Sequence, residues 1–350
     1  MNDRTSNPNI PPHTWKRPIG LGWDNPYTVR YASNLDDGPW HGMPLGGFGA
    51  GCIGRSSRGD FNLWHIDGGE HIFRNLPACQ FSVFEETQGK KQAYALCTEP
   101  PTDGSLSSWK WYPCEGRRKK EEGRREEKEE GRRKKEEGGS ATDSVADVTD
   151  GRDKNQEKKL QSSGSYHALY PRSWFVYENV FHAQLSCEQF SPILPDNYQE
   201  SSYPVAMFEW VAHNPTDAPI TLSIMLTWEN TVGWFTNANK SPEVKVRDDG
   251  SPAYDYQPRW GESGGNMNLL VEDFHRIGCV MTRLTADEEA QEGDGQWAIA
   301  TITNPAVEVF YQTRWNPAGN GEDIWRHFSS DGFLVDDKDE TACAPGERLD

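Results

Sequence analysis

The chain has 350 residues, 36 of them basic and 54 acidic, for a formal charge of -18. A balance that acidic argues against a nucleic-acid partner, because phosphate recognition needs clustered Lys and Arg. No run approaches the ~20 apolar residues of a transmembrane helix, and the seven cysteines are scattered without a C-x-x-C pair, the pattern of reduced thiols in a cytoplasmic protein.

The chain opens with MNDRTSNPNIPPHTW, which is polar and Pro-rich with no apolar h-region, so it reads as neither signal peptide nor anchor. Residues 1–18 are expected to be a disordered lead-in, and residues 19–350 one domain. Residues 41–64, HGMPLGGFGAGCIGRSSRGDFNLW, carry six glycines between Gly42 and Gly54. Glycine at that density marks backbone that needs positive φ or lies closely against something. Gly49, Gly51 and Gly54 spell G-x-G-x-x-G, with Asp67 at the distance of a ribose contact. The flanks argue against a dinucleotide loop: Pro44-Leu45-Gly46-Gly47 is a poor strand, and Ser56-Ser57-Arg58-Gly59 does not open a helix. The stretch reads instead as the corner of a large β-domain, and no cofactor is expected.

From Phe81 on, the apolar pattern has period two. Ile220, Leu222, Ile224, Leu226 and Trp228 alternate with Thr221, Ser223, Met225, Thr227 and Glu229, which predicts a strand. Further short strands are expected at 79–85, 172–178, 181–190, 204–212, 276–284, 296–303 and 306–311. Asn214-Pro215-Thr216-Asp217 is a hairpin signal, and 322–328 suggests a short helix. The fold class is therefore all-β, a large sandwich of two antiparallel sheets. The 14 Trp, 12 Tyr and 14 Phe suit either its core or a sugar platform.

Residues 115–165 do not belong to that pattern. GRRKKEEG occurs twice, at 116–123 and 131–138, and a polar tract continues to Ser165. Charged, low-complexity sequence cannot bury itself, so this is a solvated insertion between strands near Tyr112 and Tyr166. At the other end, Ala344-Pro345-Gly346 reads as a turn with no strand after it, as in a truncated chain.

Candidate chemistry is sparse. Residues 64–71 hold His65, Asp67, Glu70 and His71, either a polar turn or a metal site without the usual tight spacing, and no metal is expected. No serine triad context is present. Cys52 is either a thiol activated by Arg55 or a small buried apolar residue. A glycosidase needs an acid and a nucleophile across one bond. Adjacent pairs such as Glu85-Glu86 point to opposite strand faces, while Glu209 and Glu229 read as solvent-side strand residues. Spacing nominates no catalytic residue.

Four segments, GMPLGGFGAGCIGRSSRGDFNLW (42–64), YPRSWFVY (170–177), CEQFSPILPDNYQESSYPVAMFEWVAHN (187–214) and TLSIMLTWENTVGW (221–234), resemble the N-terminal domain of glycoside hydrolase family 116, the family of the non-lysosomal, bile-acid type β-glucosidase or glucosylceramidase. The resemblance covers about residues 19–345, without the insertion. It implies a β-sandwich packed on a C-terminal (α/α)6 barrel, which carries the glutamate nucleophile and aspartate acid/base of a retaining β-glucosidase. Nothing in this chain matches those catalytic motifs, so none of those residues carries over. The implied role is to cover and shape the barrel's cleft for a β-glucoside or glucosylceramide. Trp40, His41, Arg55, Arg58 and Trp64 are the candidate cleft-rim or interdomain contacts; alternatively they only build the sandwich corner. The competing class is a stand-alone carbohydrate-binding or interaction module.

Overall fold

The computed structural model describes residues 10–20, 42–66, 72–113, 163–233, 243–246, 252–255, 265–283 and 295–335. Period-two patterning folds most of them into strands: β1 (Trp15–Pro18), β2 (Met43–Leu45), β3 (Cys52–Arg55), β4 (Phe61–His65), β5 (Ile72–Phe73), β6 (Gln80–Thr87), β7 (Lys90–Ala95), β8 (Gly164–Leu169), β9 (Arg172–Tyr177), β10 (Gln184–Phe190), then α1 (Tyr198–Ser201), β11 (Met207–His213), β12 (Ile220–Thr227), β13 (Glu243–Val246), β14 (Pro252–Asp255), β15 (Asn266–Glu272), β16 (Arg276–Arg283), β17 (Trp297–Ile302) and α2 (Glu322–Asp331). The sheets run β1-β8-β9-β10-β11, β12-β6-β7, β2-β3-β4-β5 and β15-β16-β17, with a β13-β14 ribbon. Their strands pair antiparallel, as the sandwich reading expected.

The main core lies between these sheets. Phe81 and Val83 of β6, Phe175 and Tyr177 of β9, Leu185 and Cys187 of β10, and Phe61 and Trp64 of β4 meet in one cluster. Phe84 and Met225 point the other way, into a second cluster with Trp109, Trp325 and Phe328. The β12-β6-β7 sheet is thus covered on both sides, and β6 reads as a near-continuous buried run for that reason. Helix α2 supplies the second cover. Its first turn carries Glu322 and Asp323, favourable against the helix dipole, and the Gly332 N–H closes it onto the Phe328 carbonyl.

Several expectations need correction. Trp15–Pro18 is a strand paired with β8, not part of a disordered lead-in, and the Trp15 ring meets Tyr166 edge-on at 6.2 Å. Met43–Leu45 is a strand despite Pro44, because β2 is an edge strand where a missing N–H is tolerated. The turn at Asn214 joins β11 to β12 in different sheets, so it is a crossing rather than a hairpin; the Asn214 side chain accepts from Thr216 N at 2.9 Å and donates to the Ala218 carbonyl at 2.7 Å. Residues 306–311 form no strand, only a bridge between Asn304 and Val307. The β8 strand starts at Gly164, slightly before the expected end of the insertion. The Tyr112 hydroxyl donates to the Ser163 carbonyl and ties the segments on either side of the insertion together. Residues 114–162 themselves lie outside the described residues. Among the described residues no helix is long and apolar enough to cross a membrane.

Candidate functional site

The glycine-rich stretch folds as an antiparallel ladder whose two connections face different surroundings. The β3–β4 connection, residues 56–60, is buried. Arg55, at its start, has no exposed surface. Its Nε donates to the Gly59 carbonyl at 3.0 Å, and one terminal nitrogen donates to the Tyr177 hydroxyl at 3.2 Å and the Leu96 carbonyl at 3.4 Å. The guanidinium sits 4.3 Å from the Phe175 ring centre, 5.0 Å from Phe81 and 5.8 Å from Phe61. Aromatic faces and carbonyl dipoles therefore stabilise this cation; among the described residues no carboxylate forms an ion pair with it. Burial pushes the Tyr177 phenol and the Cys187 thiol each up to about 12 against the pull of the Arg55 charge, so both neighbours stay neutral. Gly59 is required here: its φ is +94°, and a Cβ would stand 1.9 Å from the Leu96 carbonyl oxygen.

The β2–β3 connection, residues 46–51, reaches outward instead. A turn closes it, with Ala50 N donating to the Gly47 carbonyl at 3.1 Å, and Phe48 is exposed at its tip. This tip lies against the loop formed by residues 191–205, which has the character of an Ω-loop with tied ends. The Ser191 hydroxyl donates to the Val205 carbonyl at 2.8 Å. The Ser201 hydroxyl accepts from Leu194 N at 2.8 Å and donates to the Leu194 carbonyl at 3.1 Å. Asn197 caps α1, accepting from Glu200 N at 3.2 Å.

Three contacts join the two loops. Gly46 N donates to Ser191 Oγ at 2.7 Å, and Phe48 N donates to the Ser201 carbonyl at 2.8 Å. Gly47 permits the approach, since a Cβ there would lie 2.4 Å from the Ser202 carbonyl carbon. The loops carry exposed apolar side chains: Phe48, Leu194, Tyr203, Val205 and above all Tyr198, 79% exposed. These side chains make an exposed apolar patch on backbone fixed by hydrogen bonds between the two loops.

Residues 42–349 match the family model described as "beta-glucosidase 2, glycosyl-hydrolase family 116 N-term". The chain belongs to this family. Both loops of the family-116 domain lie inside the matched region.

The residues singled out from the sequence fall into different places in this domain. Arg55 and Trp64 are fully buried. The Trp64 indole donates to the Arg74 carbonyl at 2.7 Å and meets Trp228 edge-on at 5.7 Å, so both side chains fit the corner-building alternative. Arg58, on the β3–β4 connection, is largely covered and pairs with Glu99 at 2.9 Å. Trp40 and His41 lie outside the described residues, as do Asp67, Glu70 and His71. Cys52 is half-buried, and burial raises its thiol, so it lacks the thiolate character of a nucleophile. Glu209 is exposed on the edge strand β11 and Glu229 is half-buried. Among the described residues no group of three or more His, Cys, Asp or Glu is arranged to hold a metal.

Two carboxylates are buried among the described residues, Glu85 and Asp60. Asp60 accepts from the Ser56 hydroxyl. Glu85 accepts from Ala183 N at 2.8 Å, His182 N at 3.0 Å, His182 Nδ1 at 2.8 Å and Gln92 Nε2 at 2.9 Å. Burial alone would raise its pKa, but these donors together hold it below the usual carboxylate range. A glycosidase acid needs the opposite shift. Phe48, Tyr198 and Tyr203 were not singled out from the sequence. The long motif SPILPDNYQESSYPVA was the available signal, but its docking on the glycine-rich tip is a contact across about 150 residues that no local pattern encodes.

Proposed function

We propose that this chain is the non-catalytic N-terminal part of a retaining β-glucosidase of the glucosylceramidase type, working in the cytoplasm on a β-glucoside or glucosylceramide. In this reading it packs on a helical (α/α)6 catalytic part and helps form the rim of its cleft. The observation that carries the reading is the family match across 42–349, whose description marks the region as N-terminal. The joined tip of residues 46–51 and 191–205 supports it, because its exposed aromatics suit contact with a second surface or a substrate. The domain spans 19–350 with 115–165 as an insertion, extended at its start by β1. Of the rim residues named from the sequence, Arg58, Trp40 and His41 are retained as contacts, with Phe48, Tyr198 and Tyr203 added. No residue of the chain is assigned an acid, base or nucleophile role.

The test is an assay on an aryl β-glucoside of this chain alone and of this chain together with the catalytic part of a family-116 enzyme. The chain alone is expected to be inactive, and the combination active. In the combination, Arg58→Ala is expected to lower kcat/KM by more than its accompanying loss of stability accounts for, since its covered side chain also pairs with Glu99. Turnover by residues 1–350 alone would defeat the reading.

A further inference from the structure

β1 is a four-residue edge strand tied to the domain at both ends. At its far end Ile19 N donates to the Gly164 carbonyl and Gly20 N to the Ser57 carbonyl, each at 3.0 Å, and the Ile19 side chain is buried in the main core. At its near end the tie runs through a histidine of β8. Thr14 Oγ1, just before the strand, lies 3.1 Å from His167 Nδ1, and Ser165 Oγ lies 3.0 Å from His167 Nε2. Hydroxyls thus engage both ring nitrogens. In the neutral ring one nitrogen donates and the other accepts, whereas a protonated ring only donates. Protonation therefore forces the hydroxyl that donates to the ring to turn round. Ser165 is buried, so water does little to offset that rearrangement.

The setting also opposes a positive charge on the ring. The antiparallel register puts Lys16 of β1 directly across from His167 on one side and Trp174 of β9 on the other. Arg172 of β9 stands at a diagonal position on the same face. Glu188 of β10 lies beyond Trp174, two strands from the ring, and is ion-paired with Arg172. Arg17 alternates to the other face, over the Trp15 ring. Burial first, and the Lys16 charge second, hold the imidazole below the ordinary histidine value. When β1 lifts away, Lys16 leaves and the ring becomes wet, so the open form binds a proton more readily than the closed one. Pairing of β1 is therefore fully favoured above the ordinary value near ~6.5, and it weakens as pH falls through that value towards the lower closed one. This window lies above the one in which Glu85 is protonated, so the Glu85 clasp stays ionised across it.

We propose that residues 10–18 are a pH-sensitive strap, which peels from β8 in mild acid, starting at Thr14 and pivoting at Ile19-Gly20, with His167 as the sensing group. A short edge strand has the low local stability that such opening needs. Peeling lifts the Trp15 ring off Tyr166 and leaves β8 as the free edge of its sheet, open to pairing with another strand. The experiment is hydrogen exchange of the full chain, read by mass spectrometry as protection factors at about pH 7.5 and about pH 5.5, on either side of the ordinary histidine value. Peptides covering 10–18 report the strap, and those covering β9 and β10 serve as the internal standard. The wild-type strap is expected to lose about 3-fold or more of its protection at the lower pH, with β9 and β10 unchanged. His167→Gln keeps a donor and an acceptor without titrating, and its strap should keep the same protection at both pH values. Should that strap be loose already at the higher pH, His167→Phe, which keeps the ring's bulk without a charge, takes its place. Unchanged protection in the wild-type chain overturns the proposal, and so does an equal loss in the non-titrating variant. A strap that is loose at both pH values in both variants makes His167 a structural tie rather than a sensor, and overturns it as well.

Discussion

The two connections of the glycine-rich ladder use the same residue for opposite ends. At the buried connection, Gly59 lets the backbone run beneath the Leu96 carbonyl and brings its own carbonyl to the Arg55 guanidinium. At the exposed connection, Gly47 lets one loop rest on another while Phe48 faces outward. Glycine density by itself therefore does not mark a ligand cradle. It marks close backbone approach, and the environment decides whether that approach builds core or presents a surface. The buried connection gives the exposed one a rigid base: the same three strands run from the Arg55 cage to the Phe48 tip.

The sharpest way to break this comparison is at the base. Gly59→Ala combines an unfavourable φ with a backbone clash that no rotamer relieves, and it is expected to cost more than about 3 kcal/mol, measured by urea unfolding. Arg55→Ala should follow at about 3 kcal/mol, since it leaves a large cavity and removes donors from buried oxygens. Arg55→Met keeps most of the volume and is expected to recover part of that loss. Equal losses for Met and Ala would assign the cost to the hydrogen bonds rather than the packing.

Fold class was legible because period-two alternation is local. β6, β9, β10, β12, β16 and β17 and helix α2 follow closely from their own residues. What local pattern could not give was which sheet each strand joins. The Asn214 turn signal is real, yet its strands part into different sheets because each finds its apolar partner elsewhere, β11 on β10 and β12 on β6. The candidate site was half legible. Arg55 and Trp64 stood out as polar or aromatic residues in a glycine-rich run, but an arginine held by rings from β6 and β9 cannot be told from an exposed one by sequence. Trp15 reads as part of a lead-in because a four-residue edge strand after a polar tail carries little periodicity.

Glu85 provides a contrast to Arg55 at intermediate scale. Both charges are buried, but Glu85 is fully bonded, and its donors clasp residues 182–183 onto β6 and β7. Its folded pKa lies below the unfolded value. The stability it contributes is therefore fully present above the unfolded glutamate value near ~4.3 and is lost as pH falls through the lower folded value. Glu85→Gln is expected to cost about 1–3 kcal/mol at neutral pH, because a neutral amide accepts these bonds less strongly and introduces a donor among donors. The loss should shrink in acid, as the wild-type advantage disappears there. A cost that stays constant from neutral pH into strong acid would remove the ionised carboxylate from this account.

The smallest effect on stability is expected at the tip, and it is the most informative about function. Phe48 and Tyr198 are exposed, so burial contributes little to what holds them. The backbone bonds that join the loops, Phe48 N to the Ser201 carbonyl and Gly46 N to Ser191, do not need either side chain. Phe48→Ser and Tyr198→Ser should each change unfolding free energy by less than about 0.5 kcal/mol. In the chain combined with a family-116 catalytic part, the same substitutions are expected to lower kcat/KM on an aryl β-glucoside by about 10-fold. If the tip were only a further piece of scaffold, activity would follow stability and neither would move. If stability fell as far as it does for Gly59→Ala, the tip would belong to the base, and the division of the glycine-rich ladder into a buried support and a presented surface would fail.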